Sequence, residues 1–130
     1  MSVKIFLDKK SEDKSKECIH QTNSIAWVRH NHPEIFAWHV KNEGLKSIGT
    51  AMKDKQEGVI KGVSDILLIG PNGFAAIELK RAIKSDSKVS NEQKEFLEKV
   101  SETGGYAAIC YGFEMFKLAI EDYLSNSTNC

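Results

Sequence analysis

Three residues of the 130-residue chain have types and a spacing that could do chemistry: Asp65, Glu78 and Lys80. They stand in the outer arms of "GVSDILLIGPNGFAAIELKRA" (62–82), two apolar runs around a turn. Side chains in a strand alternate faces, so Glu78 and Lys80 point the same way. With Gly70 to Gly73 as the loop, Ile69 pairs with Phe74, Leu67 with Ala76 and Asp65 with Glu78. Opposed residues share a face, with Cβ atoms about 4.5–5.5 Å apart. Both acids and the lysine therefore converge at the open end of a hairpin.

Two carboxylates ~5 Å apart repel by roughly 3 kcal/mol at an effective dielectric of about 20. Protonation of one carboxyl, partial neutralisation by Lys80 or a cation between them would relieve that. Hard divalent ions such as Mg²⁺ and Mn²⁺ take oxygen ligands and use one or two carboxylates together with substrate phosphate. A lysine beside such an ion can orient a water or stabilise charge developing on a phosphate. The arrangement suits phosphodiester chemistry. A solvated hairpin end carrying a surface ion triad is the other reading the pattern allows.

The elements that must hold these residues can be read from periodicity. Residues 3–7 suit a short strand, and Ile19, Ala26, Trp27 and His30 recur at helical spacing within a helix expected from Glu12 to His30, stopped by Pro33. "IFAWHV" (35–40) reads as a strand bounded by Asn42 and Gly44, and the polar, basic stretch 41–62 as a long loop. Strands at 63–69 and 74–80 flank "GPNG", whose Pro and final Gly suit a type I turn. Ser90 opens a helix with Phe96, Leu97 and Val100 on its apolar side, closed by Gly104-Gly105. "YAAICY" (106–111) is a buried strand, and a final helix over 113–124 carries Phe113, Phe116, Ile120, Tyr123 and Leu124 on one stripe. The order predicts a single α/β domain, 1–130, with a mixed central sheet flanked by helices.

Composition narrows the classes. Lys plus Arg and Asp plus Glu each number 18, so contacts to nucleic acid must come from local patches rather than an overall positive field. Cys18, Cys110 and Cys130 are odd in number and form no CxxC pair, which argues against a disulfide framework or a zinc site. His20, His30, His32 and His39 lack zinc-binding spacing, and Trp27 and Trp38 read as core residues. Nothing resembles a signal peptide or a membrane span, so a cytoplasmic protein is expected.

The pattern Asp65…Glu78-Leu79-Lys80 resembles the D…(D/E)XK signature of the PD-(D/E)XK nuclease superfamily. More narrowly, "KGVSDILLIGPNGFAAIELKRA" and "KVSNEQKEFLEKVSETGGYAAICYG" look like the VRR-NUC family, with the likeness running from about residue 17 to 124. Its marks are Gly-x-x-Asp leading into a strand, Ile-Glu-Leu-Lys, a Ser-x-x-Gln helix start and a Gly-Tyr-x-x-x-x-Tyr strand. The resemblance implies a restriction-endonuclease-like fold and a Mg²⁺- or Mn²⁺-dependent nuclease. Asp65 and Glu78 would then be metal ligands, joined by the Leu79 backbone carbonyl and by Glu17 from the first helix. Lys80 would be the catalytic lysine and Gln93 would sit beside the site. Gln21, four residues after Glu17, is a further candidate. Ser64 stands where the superfamily's name has Pro. Ser90 and Gln93 also fit a capping box, a purely local reason for the glutamine.

Phosphate contacts are expected from lysines flanking the hairpin's open end: Lys53, Lys55 and Lys61 before it, Arg81, Lys84 and Lys88 after it. No base-reading module is apparent, which suggests recognition of DNA shape. The resemblance points the same way, since stand-alone members of phage or bacterial type act on branched or flapped DNA. Such a member would work in the bacterial host cytoplasm, and a homodimer would present two sites to a Holliday-junction-like substrate. The rival expectations are a catalytically silent nucleic-acid-binding module on the same fold, and an interaction protein using the charged hairpin end.

Overall fold

The computed structural model describes residues 2–41 and 48–125. A five-stranded mixed sheet runs in the order β1-β5-β4-β3-β2. It comprises β1 (Lys4–Phe6), β2 (Phe36–His39), β3 (Ile66–Gly70), β4 (Gly73–Lys80) and β5 (Tyr106–Tyr111). β5 lies parallel to both β1 and β4, whereas β3 is antiparallel to β4 and to β2. The helices are α1 (Glu17–Asn31), α2 (Ile48–Gln56), α3 (Asn91–Glu102) and α4 (Phe113–Ser125), with a short 3₁₀ turn at Lys84–Asp86.

Alternation along the central strands divides the core in two. Ala75, Ile77 and Leu79 of β4 and Tyr106, Ala108 and Cys110 of β5 meet Val28 of α1 and Phe116, Ala119, Ile120 and Tyr123 of α4. On the opposite face Ala76, Ala107, Ile109 and Tyr111 meet Leu97 and Val100 of α3. Each fully buried large side chain, such as Phe116 or Leu97, contributes about 1.5–3 kcal/mol. Glu78 and Lys80 alternate with Ile77 and Leu79, so they belong to the α3 face.

The hairpin keeps the expected register but turns more tightly. Gly70 pairs with Gly73, leaving Pro71-Asn72 as the connection instead of a four-residue loop, and Gly73 takes a positive φ of 96° that a side chain would resist. The tip is tied to the end of α4. Asn72 Nδ2 donates to the carbonyls of Tyr123 (2.8 Å) and Leu124 (3.0 Å), and the Tyr123 hydroxyl donates to the Gly73 carbonyl (2.6 Å). The two Asn72 bonds occupy helix-end carbonyls that have no partner within the helix.

Several expectations need correction. The stretch 41–62 holds α2 rather than a continuous loop, with 42–47, including Asn42 and Gly44, outside the described residues. No side chain among the described residues 49–56 of α2 enters either core, so they left no apolar periodicity to read. α1 starts at Glu17, not Glu12. Ser11 Oγ accepts from Asp13 N and Asp13 Oδ1 from Ser15 N, and these local bonds hold the chain out of the helix. The buried face of α1 is His20, Ser24 and Val28, while Ile19, Ala26 and His30 are exposed. His20 is accommodated because its Nδ1 accepts from Phe113 N at 2.9 Å. Trp38 packs with neither core, against expectation, whereas Trp27 meets Phe113 and Phe116 edge-on. Cys18 and Cys110 are free thiols, and Cys130 lies outside the described residues. Among the described residues no helix is long and apolar enough to cross a membrane.

Candidate active site

The paired strands bring the two acids to one end of the sheet. Ile66 is opposite Ile77, so Asp65, one residue before β3, continues the ladder opposite Glu78. The Asp65 backbone is fixed from the neighbouring strand, because its carbonyl accepts from Val40 N (2.7 Å) and lies 2.9 Å from His39 Nδ1. Its side chain reaches across β4, where Oδ2 accepts from Leu79 N at 3.1 Å. Asp65, Glu78 and Lys80 are all buried, and Glu78 is fully so.

Glu78 has three neighbours. Gln93 Nε2 donates to its Oε2 at 2.8 Å, Lys80 Nζ stands 3.5 Å from the same oxygen, and Asp65 faces it. Oε1 is buried without a hydrogen-bond partner. Burial, and then the charge of Asp65, push the Glu78 carboxyl up to about 9, although Lys80 pulls the other way. A carboxyl so placed holds its proton at neutral pH until a cation replaces it.

α3 supplies Gln93 through its own start. Ser90 Oγ accepts from Gln93 N (3.1 Å) and Gln93 Oε1 accepts from Ser90 N (2.8 Å), a complete capping box. The amide oxygen serves the helix and the amide nitrogen serves Glu78, so local and site roles coexist. Gly62 explains how close α3 sits. Its φ is +80°, and a Cβ there would meet the backbone of Glu92 and Gln93 at 2.4–2.7 Å. The glycine two residues before Ser64 is thus a condition of the helix reaching the site.

Glu17 opens α1, and its carboxyl lies within electrostatic reach of Lys80, Asp65 and Arg81; burial raises its pKa, with Lys80 opposing and Asp65 adding. Gln21 is half-buried one turn on, with Nε2 unpartnered. Among the described residues, no three His, Cys, Asp or Glu side chains are gathered at metal-ligating range, so Glu17 does not close a three-acid shell with Asp65 and Glu78. The donors at hand are carboxylate and carbonyl oxygens, including the partnerless Glu78 Oε1, which suits a hard divalent cation better than zinc.

The expected phosphate contacts separate into two kinds. Lys53, Lys55, Lys61, Lys84 and Lys88 are exposed. Arg81 is instead a brace, donating to the carbonyls of Lys14 (2.7 Å) and Ser15 (3.2 Å) and standing 4.0 Å from Asp86. His39, the last residue of β2, steadies Asp65 through its backbone, a role that sequence reasoning missed because a histidine at a strand end carries no motif.

The VRR-NUC domain family matches residues 6–114. A solved structure described as a VRR_NUC domain protein, 22% identical, superposes with a TM-score of 0.65, covering 88% of this chain and 93% of its own. A second, described as a VRR_NUC domain and 19% identical, gives 0.56 over 84% and 98%. These likenesses show the restriction-endonuclease-like fold. No curated protein sequence matches the chain. By the family match, which spans most of its length, the chain belongs to the VRR-NUC family of nuclease-type domains in the PD-(D/E)XK superfamily.

Proposed function

We propose that the protein is a Mg²⁺- or Mn²⁺-dependent DNA endonuclease that selects its substrate by shape, cutting branched, flapped or junction DNA. The observation that carries this is the Glu78 carboxyl: fully buried, opposite Asp65, with one oxygen held by Gln93 and Lys80 and the other partnerless. A buried acid in that state is costly unless a charged ligand completes it. Asp65, Glu78 and the Leu79 carbonyl would hold the cation, with Glu17 drawn in from α1. A divalent ion bound there supplies positive charge to the scissile phosphate and lowers the pKa of an attacking water.

The protein's own groups do the remaining work. Lys80 places a cation beside Glu78, positioned to orient water and to stabilise charge growing on the phosphate. Gln93, fixed by its capping box, holds the Glu78 carboxylate in one rotamer and offers an amide to the same water. The exposed lysines of α2, of the approach to Gly62 and of residues 84–88 would contact phosphates on either side. Two such domains related by a two-fold axis would present two active sites to a four-way junction.

Incubation with junction, flap, duplex and single-stranded DNA in Mg²⁺ and in Mn²⁺, with Glu78→Gln alongside, tests this reading. Metal-dependent cutting that disappears in the variant is the expected result. Binding without cutting under every divalent ion would replace it with a silent DNA-binding module.

A further inference from the structure

α3 covers only part of its face of the sheet. Beyond it, towards the β2 edge, Phe36 (68% exposed), Ile69 (52%) and Phe74 (37%) form one row across β2, β3 and β4. Trp38 lies in the next row opposite Leu67, its ring 5.2 Å from that of Phe36 and tilted by 41°. An open apolar face rich in exposed aromatics is unusual on a protein surface unless something binds it.

We infer that this face is a stacking platform for unpaired nucleobases, which leads a single DNA strand to the carboxylate pair. The inference rests on the nuclease reading and deepens it, because it names unpaired nucleotides as the part of the substrate that the fold recognises. Continuity with the site is the first argument. Ile69, Leu67 and Asp65 share one face of β3, with half-buried Trp38 opposite Leu67, whereas along β4 the same face is closed at Ala76 by α3. From the Phe74 row to the Glu78 row is about 13 Å at the usual strand rise, a span of a few nucleotides. Charge is the second. The exposed Lys41 lies at the Asp65 end of β2, next to Val40, whose N–H donates to the Asp65 carbonyl.

The chemistry of the patch is the third argument. Exposed aromatic rings bind single strands with little regard to sequence, since every base has a π-face. A second copy adding itself along β2 is disfavoured, because Arg29 Nη2 already donates to the Ala37 carbonyl of that edge strand at 3.2 Å.

The test measures binding of labelled oligo-dT and of a blunt duplex in chelator, for the whole protein and for Phe36→Ala and Phe36→Ala/Trp38→Ala. Oligo-dT affinity should fall about 10-fold or more relative to duplex affinity, with an unchanged unfolding temperature. Ultraviolet crosslinking of oligo-dT to the unaltered protein should map to Phe36 or Trp38, a readout that needs no variant to fold. An unchanged affinity ratio, or crosslinks elsewhere, overturns the platform. So does a dimer that Phe36→Ala dissolves while oligo-dT binding stays intact, since the face would then join two copies. Failure to bind oligo-dT in a protein that still cuts duplex or junction DNA overturns this inference and spares the nuclease reading. Failure of all binding and all cutting removes both.

Discussion

Gln93 holds Glu78 with one end of its amide and its own helix with the other, 2.8 Å in each case. Replacing it tests both bonds separately. Gln93→Glu keeps an acceptor for Ser90 N but sets a carboxylate against Glu78. Gln93→Ala loses both and should cost about 1–2 kcal/mol through the cap and the released carboxyl. Both should cripple cleavage. In denaturant titrations only Gln93→Glu should lose stability more steeply above neutral pH.

The proton on Glu78 makes the metal-free protein sensitive to base. In the unfolded chain that carboxyl ionises near 4.5, in the fold near 9. Between those values the unfolded state binds fewer protons, so stability is fully present below 4.5 and declines as pH rises through 9. Glu78→Gln removes the dependence and should stabilise the metal-free protein at pH 8 by about 2 kcal/mol. Unfolding curves at several pH values, with chelator present, measure it. A Glu78→Gln protein less stable than the parent at pH 8 contradicts the burial argument.

Millimolar Mg²⁺ or Mn²⁺ should raise the unfolding temperature of the parent at pH 8, because a ligand that binds only the folded state stabilises it by mass action. Asp65→Asn and Glu78→Gln should each abolish that increment, and calorimetry reads it without any DNA. An equal increment in all three proteins places the ion elsewhere.

Gly62→Ala should be among the most damaging single changes. It forces a side chain into a positive-φ conformation and against the backbone of Glu92 and Gln93. A cost of about 2–3 kcal/mol is expected, with cleavage falling further than stability because Gln93 is displaced. Full activity at reduced stability would show that α3 moves without consequence for the site.

Arg81 and its basic neighbours should part company in salt titrations of DNA binding. Removing Lys84 or Lys88, if each contacts a phosphate, lowers the salt slope by about 1. Arg81→Ala should leave the slope alone and loosen the segment that leads to Glu17, since the guanidinium is spent on the carbonyls of Lys14 and Ser15. A reduced slope for Arg81→Ala would mark it as a phosphate contact after all.

The meeting of Asp65 and Glu78 was legible because a short turn and strict alternation leave a hairpin little choice of register. The start of α3 was legible for a similar reason: Ser90 and Gln93 form a local motif that needs no tertiary help. α1 misled where its buried positions are His20 and Ser24, polar residues whose acceptance depends on a distant chain segment such as Phe113 N. α2 left no trace because its described side chains, 49–56, lend nothing to either core. Trp38 was misplaced because size and apolarity suggest an interior, and only the strand order shows that α3 stops short of it. Arg81 looked like a ligand for phosphate, and nothing nearby in sequence announces that its partners are more than sixty residues away.

The clamp between the hairpin tip and the end of α4 carries a consequence for biosynthesis. β1 and β4 touch only through β5, and Asn72 finds its helix-end carbonyls only once Tyr123 and Leu124 exist. A nascent chain on the ribosome that has released the hairpin but not residues 106–125 has neither a continuous sheet nor an anchored turn. The frame around the acid pair is therefore completed only after residues 106–125 have been made.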